Sequence, residues 1–110
     1  MILDTNIVIR RIKSHKPIVE DITIVTVIEY PFVLSYSGFR GNVYFPSYED
    51  YELAYKIQLE LASKGLMKGF ADLLIAAISI NNNEELMTND RDFLDIACVS
   101  RLKLRFVSED

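Results

Sequence analysis

The sequence predicts an α/β fold in which a central, mostly parallel sheet is covered by helices on both faces. Short runs of β-branched and other apolar residues alternate along the whole chain with longer stretches of helical spacing. Half of the 110 residues are apolar and 25% are charged, which is ordinary for a globular domain of this size. We therefore expect a single domain over residues 1–110.

The first strand is short and leads directly into a helix. Residues 1–3 are apolar and read as a buried strand, and the apolar spacing over 5–13 predicts a helix after it. The stretch ITIVTV (22–27) is β-branched and typical of a central parallel strand. A helix over 28–36 is predicted less firmly, because Pro31 removes a hydrogen bond unless it lies in the first turn.

The second half of the chain continues the alternation. Residues 43–45 suit a short strand, and 48–64 present a broad apolar helical face that Gly65 ends. The stretch FADLLIAAISI (70–80) is apolar almost all round and predicts an interior helix. The remaining predicted elements are a strand over 84–88, a short helix beginning in NDRDFLDIA and a strand over 103–107.

The charge and cysteine content restrict the functional classes. A formal net charge of −4 counts against a surface that grips nucleic acid by charge alone, although it leaves open a nucleic acid held through metal ions. The one cysteine, Cys98, cannot form an internal disulfide. The sequence has no secretory leader pattern and no apolar run near the roughly 18 residues that a membrane span needs, so we expect a cytoplasmic protein without a membrane partner.

Four acids interrupt apolar segments, and each lies near the end of a predicted element. They are Asp4 after MIL, Glu29 in VTVIEY, Asp72 in FADLLIAA and Asp90 after LMTN. In an open parallel sheet, ligands bind outside the carboxyl ends of the strands, where these acids would meet. Gathered carboxylates repel one another unless a cation balances them, and Mg²⁺ or Mn²⁺ prefers such oxygen ligands. The sequence therefore predicts an acidic metal site.

Each acid also has a structural explanation. Glu29 lies three residues after Thr26, so TVIE matches a capping box. Asp72 could simply favour the positive end of its helix dipole, and Asp90 could cap the following helix. An acid placed directly after an apolar strand, as Asp4 is, has fewer such roles.

Taken together, these residues resemble the PIN-domain nucleases, especially the VapC-like ribonuclease toxins of toxin–antitoxin pairs. The matching pieces are MILDTN, VTVIEY, FADLLIAAIS and LMTNDRDF, in that order, and they span residues 1–93. The chain departs from the family pattern in a shorter segment between Glu29 and Asp72 and in Pro31. The resemblance implies a three-layer PIN-like fold and a Mg²⁺- or Mn²⁺-dependent endoribonuclease that cleaves RNA phosphodiester bonds.

The resemblance also assigns roles to individual residues. It implies that Asp4, Glu29, Asp72 and Asp90 are catalytic, and that Asp4, Asp72 and Asp90 hold the metal, with Glu29 binding directly or through water. The residues that would support these acids are Asn6, Thr88 and Asp92. A cognate antitoxin protein is the implied partner, and homodimers are common in the family.

Two further interpretations concern the basic residues and the rival functions. The chain's densest basic stretch could steer an RNA backbone or could be a solvated helix face, and it contains Arg10, Arg11, Lys13 and Lys16. One rival function is a magnesium-dependent phosphatase of small molecules, because the first strand of the haloacid-dehalogenase-like phosphatases also ends in an acid. That family has a second acid where this chain has Asn6. The other is a PIN-like binding module without catalytic activity.

Overall fold

The computed structural model describes residues 1–108. Five short strands alternate with helices along the chain. The strands are β1 (Ile2–Leu3), β2 (Ile22–Thr23), β3 (Val43–Tyr44), β4 (Glu85–Thr88) and β5 (Lys103–Phe106). The helices are α1 (Thr5–Lys13), α2 (Ile24–Glu29), α3 (Tyr48–Ser63), α4 (Phe70–Asn81) and α5 (Asp92–Cys98), with a 3₁₀ helix over Pro31–Ser35 after α2.

All strand pairs are parallel. β1 pairs with β4, β4 with β5, and β2 with β3. A parallel bridge between Ile2 and Asp21 joins the two groups, with hydrogen bonds of 2.9 Å from the Leu3 N–H to the Asp21 carbonyl and from the Asp21 N–H to the Met1 carbonyl. The spatial order is therefore β3-β2-β1-β4-β5, with β1 in the centre.

Two apolar clusters cover the two faces of this sheet. On one face, α4 is buried from Leu73 to Ser79 and packs against Ala54, Ile57 and Leu61 of α3. On the other face, residues of α1 pack with residues before β2, in β2 and in the 3₁₀ helix; they are Ile7, Val8, Ile18, Ile22 and Val33. The prediction of a three-layer α/β fold with a central parallel sheet is confirmed.

The strand predicted for 22–27 is wrong beyond Thr23. The chain leaves the sheet there, and Ile24–Glu29 forms α2. Val25 packs against the core on one face of the sheet and Val27 against the core on the other, and this packing outweighs the strand preference of β-branched residues. Glu29 therefore ends a helix and does not follow a strand closely.

The parallel arrangement decides where the functional side chains meet. Leu3, Thr23 and Thr88 end their strands at the same edge of the sheet, and α1 and α2 begin there. α4 precedes β4 and returns the chain to the opposite edge, so the first turn of α4, with Asp72, also lies at the carboxyl edge.

Candidate functional site

Asp4 is a buried carboxylate that the start of α1 holds in place. It is 5% exposed. One oxygen accepts a 2.8 Å hydrogen bond from the Thr5 backbone N–H, which caps α1, and the other accepts a 2.8 Å bond from the Thr88 hydroxyl. Burial raises the pKa of Asp4, the two hydrogen bonds oppose that shift, and the charges of Asp90 and Glu29 add to it. The two donors thus offset part of the desolvation cost.

Thr88 connects Asp4 to Asp90. The Thr88 side chain is fully buried at the end of β4, and its oxygen accepts a 3.0 Å hydrogen bond from the Asp90 N–H. Asp90 in turn accepts a 2.9 Å bond from the backbone N–H of Asp92 at the start of α5. Asp90 therefore does help to begin α5, as the structural explanation held, while its backbone is tied to the group that binds Asp4.

Asp72 is a carboxyl group with a strongly raised pKa. It lies in the first turn of α4, and its pKa is raised to about 6, first by burial and then by surrounding acids, of which Asp4 and Asp90 have the largest effects. One carboxylate oxygen from each of Asp72, Asp90 and Asp92 lies within 4.8 Å of the others. A set of carboxylate oxygens this close fits a hard divalent cation such as Mg²⁺ or Mn²⁺.

Glu29 is held by a threonine of the neighbouring helix. It is the last residue of α2 and is exposed, and its carboxylate accepts a 2.6 Å hydrogen bond from the Thr5 hydroxyl. The hydroxyls of Thr5 and Thr26 are 2.9 Å apart. The capping-box interpretation of Thr26 and Glu29 is wrong, because α2 already begins at Ile24 and Thr26 lies inside it.

The second half of the chain matches a known domain family. The sequence profile of the PIN domain matches residues 39–98, more than half of the chain. The chain belongs to the PIN domain family. No curated protein matches the sequence to a comparable degree.

Solved structures share this PIN fold over nearly their whole length. VapBC2 from Rickettsia felis, bound to a DNA fragment from its promoter, is 23% identical, with 96% of each chain covered and a TM-score of 0.73. VapBC-1 from nontypeable Haemophilus influenzae is 21% identical, with 96% of each chain covered and a TM-score of 0.74. VapBC-5 from Mycobacterium tuberculosis, a member of the VapBC family of toxin-antitoxin systems, is 20% identical, with 96% of this chain and 97% of that chain covered and a TM-score of 0.71.

The remaining predicted site residues differ in whether they lie at the acid cluster. Asp92, expected only to support the metal-binding acids, lies within the acid cluster itself, whereas Asp4 and Glu29 lie outside this group of oxygens within 4.8 Å of one another. Asn6 is exposed on α1, and within residues 1–108 its amide forms no hydrogen bond. Thr5 was not among the site residues predicted from the sequence, but its hydroxyl orients the Glu29 carboxylate. The one sequence feature that points to Thr5 is its position directly after Asp4 in MILDTN.

The basic stretch lies at the other end of α1. Three of its residues occupy the last turn, so by the helix rise they are about 9–14 Å from Asp4 along the axis. Arg11 is already paired with Glu20, through contacts of 2.5 and 3.1 Å. Arg10, Lys13 and Lys16 are exposed. A role for this stretch in steering RNA stays a prediction.

The bridging role of Thr88 leads to a testable prediction. We expect Thr88→Val to lower the free energy of unfolding by about 2 kcal/mol, because the Asp90 N–H loses its acceptor and the buried Asp4 carboxylate loses a donor. Thr88→Ser keeps the hydroxyl and is the matched control. Chemical denaturation of both variants measures the difference, and equal destabilisation by valine and serine would show that the hydroxyl is not the cause.

Within the part of the chain that the structure describes, no helix is long and apolar enough to cross a lipid bilayer.

Proposed function

We propose that this PIN domain, over residues 1–110, is a cytoplasmic Mg²⁺- or Mn²⁺-dependent endoribonuclease and the toxin of a type II toxin–antitoxin pair. The observation that carries the proposal is the cluster of carboxylate oxygens from Asp72, Asp90 and Asp92 within 4.8 Å of one another, with Asp4 near enough for its charge to raise the pKa of Asp72. Asp4, Asp72 and Asp90 are the proposed metal ligands, with Asp92 beside them and Glu29 reaching the metal directly or through water.

The exposure and the hydrogen-bond partners of the carboxylates suggest different roles for Asp4 and Glu29. A divalent ion bound here would polarise a phosphate oxygen and lower the pKa of a bound water. Asp4 is fixed by two hydrogen bonds and therefore serves as a rigid ligand. Glu29 is exposed, and Thr5 fixes one of its oxygens, so Glu29 is the best placed acceptor for the proton of an attacking water.

An antitoxin is the proposed protein partner. The similar solved structures are VapBC complexes by name, and this chain has an exposed apolar patch directly beside Glu29. The patch consists of Ile28, Phe32 and Leu34, which are 74%, 66% and 61% exposed. Exposed apolar side chains that adjoin a polar cleft are typical of a protein interface. We propose that the antitoxin packs on this patch and presents a basic residue to the acids.

A homodimer is the second proposed assembly. One side of α3 carries large exposed side chains at helical spacing, and they are Tyr48, Tyr51, Tyr55 and Leu59. Residues spaced in this way form a continuous stripe along a helix, which suits packing against a second helix. We propose that two copies of the chain meet through α3.

Metal removal and substrate choice test the activity. The purified protein is expected to cleave a single-stranded RNA oligonucleotide in Mg²⁺ or Mn²⁺, to lose cleavage with a chelator and to regain it when the metal is returned. Hydrolysis of a small phosphomonoester without RNA cleavage would favour the phosphatase. RNA binding with turnover of neither substrate would favour the inactive binding module.

A further inference from the structure

Lys68 is a cation at the edge of the acid cluster that Asp72, Asp90 and Asp92 form. Its ammonium lies 2.7 Å from a carboxylate oxygen of Asp95 and 3.4 Å from one of Asp92, both in the first turn of α5. The Lys68 side chain is only 10% exposed. Asp92 is also a member of the cluster with Asp72 and Asp90, so Lys68 contacts the same carboxylate group that faces the metal site.

The main chain of Lys68 is fixed by a side chain of α3. The Gln58 amide donates a 2.7 Å hydrogen bond to the Lys68 carbonyl and accepts a 3.1 Å bond from the Lys68 N–H. These two bonds hold the α3–α4 connection against α3. The Lys68 side chain therefore starts from a defined point, and this limits the entropy that it loses in reaching α5.

The positive charge compensates the acids on one side only. The neighbouring groups that raise the pKa of Asp72 are all carboxylates, namely Asp4, Asp90, Asp92 and Glu29. Asp92 faces Lys68, whereas Asp4 receives only neutral donors, from Thr5 and Thr88. Within residues 1–108, no ammonium or guanidinium group forms an ion pair with Asp4 or Asp72, whereas the Lys68 ammonium pairs with Asp92.

We propose that the Lys68 ammonium takes the place of a second metal ion at Asp92 and Asp95, so that the acid cluster binds a single divalent cation. The inference rests on the proposed metal site and adds the number of ions. Lys68 acts here as a positioning residue, because it holds the carboxylates of Asp92 and Asp95 in place and neutralises part of their negative charge. Without that ammonium, Asp92 and Asp95 would be two free carboxylates in the first turn of α5, which is a donor set for another divalent ion.

The number of bound Mn²⁺ ions tests this inference without RNA or turnover. Isothermal titration of the metal-free protein with Mn²⁺ is expected to give one ion for the unaltered chain and two for Lys68→Gln, which removes the charge but keeps a hydrogen-bond donor. Lys68→Arg keeps the charge and should bind one ion. Lys68→Met replaces the glutamine variant if thermal unfolding shows that the latter is not folded.

Asp95→Asn removes one carboxylate of the second donor set and leaves the ammonium in place, so it should bind one ion, as the unaltered chain does. Two ions in the unaltered chain, one ion in the charge-removing variants, or two ions in Asp95→Asn would each overturn the inference. No Mn²⁺ binding by the unaltered chain would overturn both this inference and the proposed metal-dependent function, so the two failures are distinguishable.

Discussion

Asp4→Asn is expected to reduce RNA cleavage at least about 100-fold, more than the loss typical of a residue that only supports a metal ligand. The asparagine keeps an oxygen that can accept the Thr5 N–H, so α1 remains capped. It also removes a buried carboxylate, and burial is what raises the pKa of Asp4. The variant should therefore be folded and inactive. Cleavage rates at saturating Mg²⁺ measure the effect.

The control for this variant lies at the opposite edge of the sheet. Arg101→Gln changes an exposed residue two positions before β5 and should retain both fold and cleavage within about threefold, because an exposed charge far from the metal contributes little. If Asp4→Asn cleaves RNA at the parental rate, then Asp4 does not hold the metal and the site must lie elsewhere.

Asp72→Asn should have two opposite effects, a loss of cleavage of at least about 100-fold and a gain in stability of the metal-free protein. The pKa of Asp72 is about 6 in the folded chain against 3.8 for the free side chain, because burial and four neighbouring acids oppose its ionisation. Asp72 is only partly buried, and solvent screens its charge, so this difference corresponds to on the order of 1–2 kcal/mol above pH 6. The asparagine cannot ionise and therefore avoids this cost.

The pH dependence of the free energy of unfolding follows from the same raised pKa of Asp72. Between pH 3.8 and about 6 the folded chain binds more protons at Asp72 than the unfolded chain does, so the contribution of Asp72 to stability falls as pH rises through this range. The metal-free parent protein should lose stability over this range relative to Asp72→Asn, and added Mn²⁺ should restore it in the parent alone. Urea unfolding at pH 4.5 and 7 measures both, and parallel curves for the two proteins would contradict this account of Asp72.

Local sequence patterns predict the elements well where burial and helix signals agree. The apolar stretch over 70–80 matches α4, and Gly65, which adopts a positive φ of 70°, marks the end of α3. The pattern fails at Ile24, where β-branched residues favour a strand but contacts with both cores favour a helix. Such contacts join residues distant in sequence, so no local preference contains them.

The same distinction applies to the site. Asp4 and Asp72 could be found from the sequence, because an acid inside an apolar segment contradicts the pattern around it. Lys68 and Thr5 could not, because their roles depend on Asp92 and Glu29, which lie 24 residues away in each case. A lysine in a connection and a threonine at a helix start are ordinary until their partners are known.

The central position of β1 has a consequence for the order in which the chain folds. β1 is synthesised before its partner in the sheet, β4, which begins only at Glu85. The Asp4–Thr88 hydrogen bond spans 84 residues. Contacts this distant in sequence slow folding and cannot form until most of the chain has been synthesised. A nascent or truncated chain that ends before β4 lacks Thr88, Asp90 and Asp92 and cannot assemble the acid cluster, so the site exists only after these residues have been synthesised.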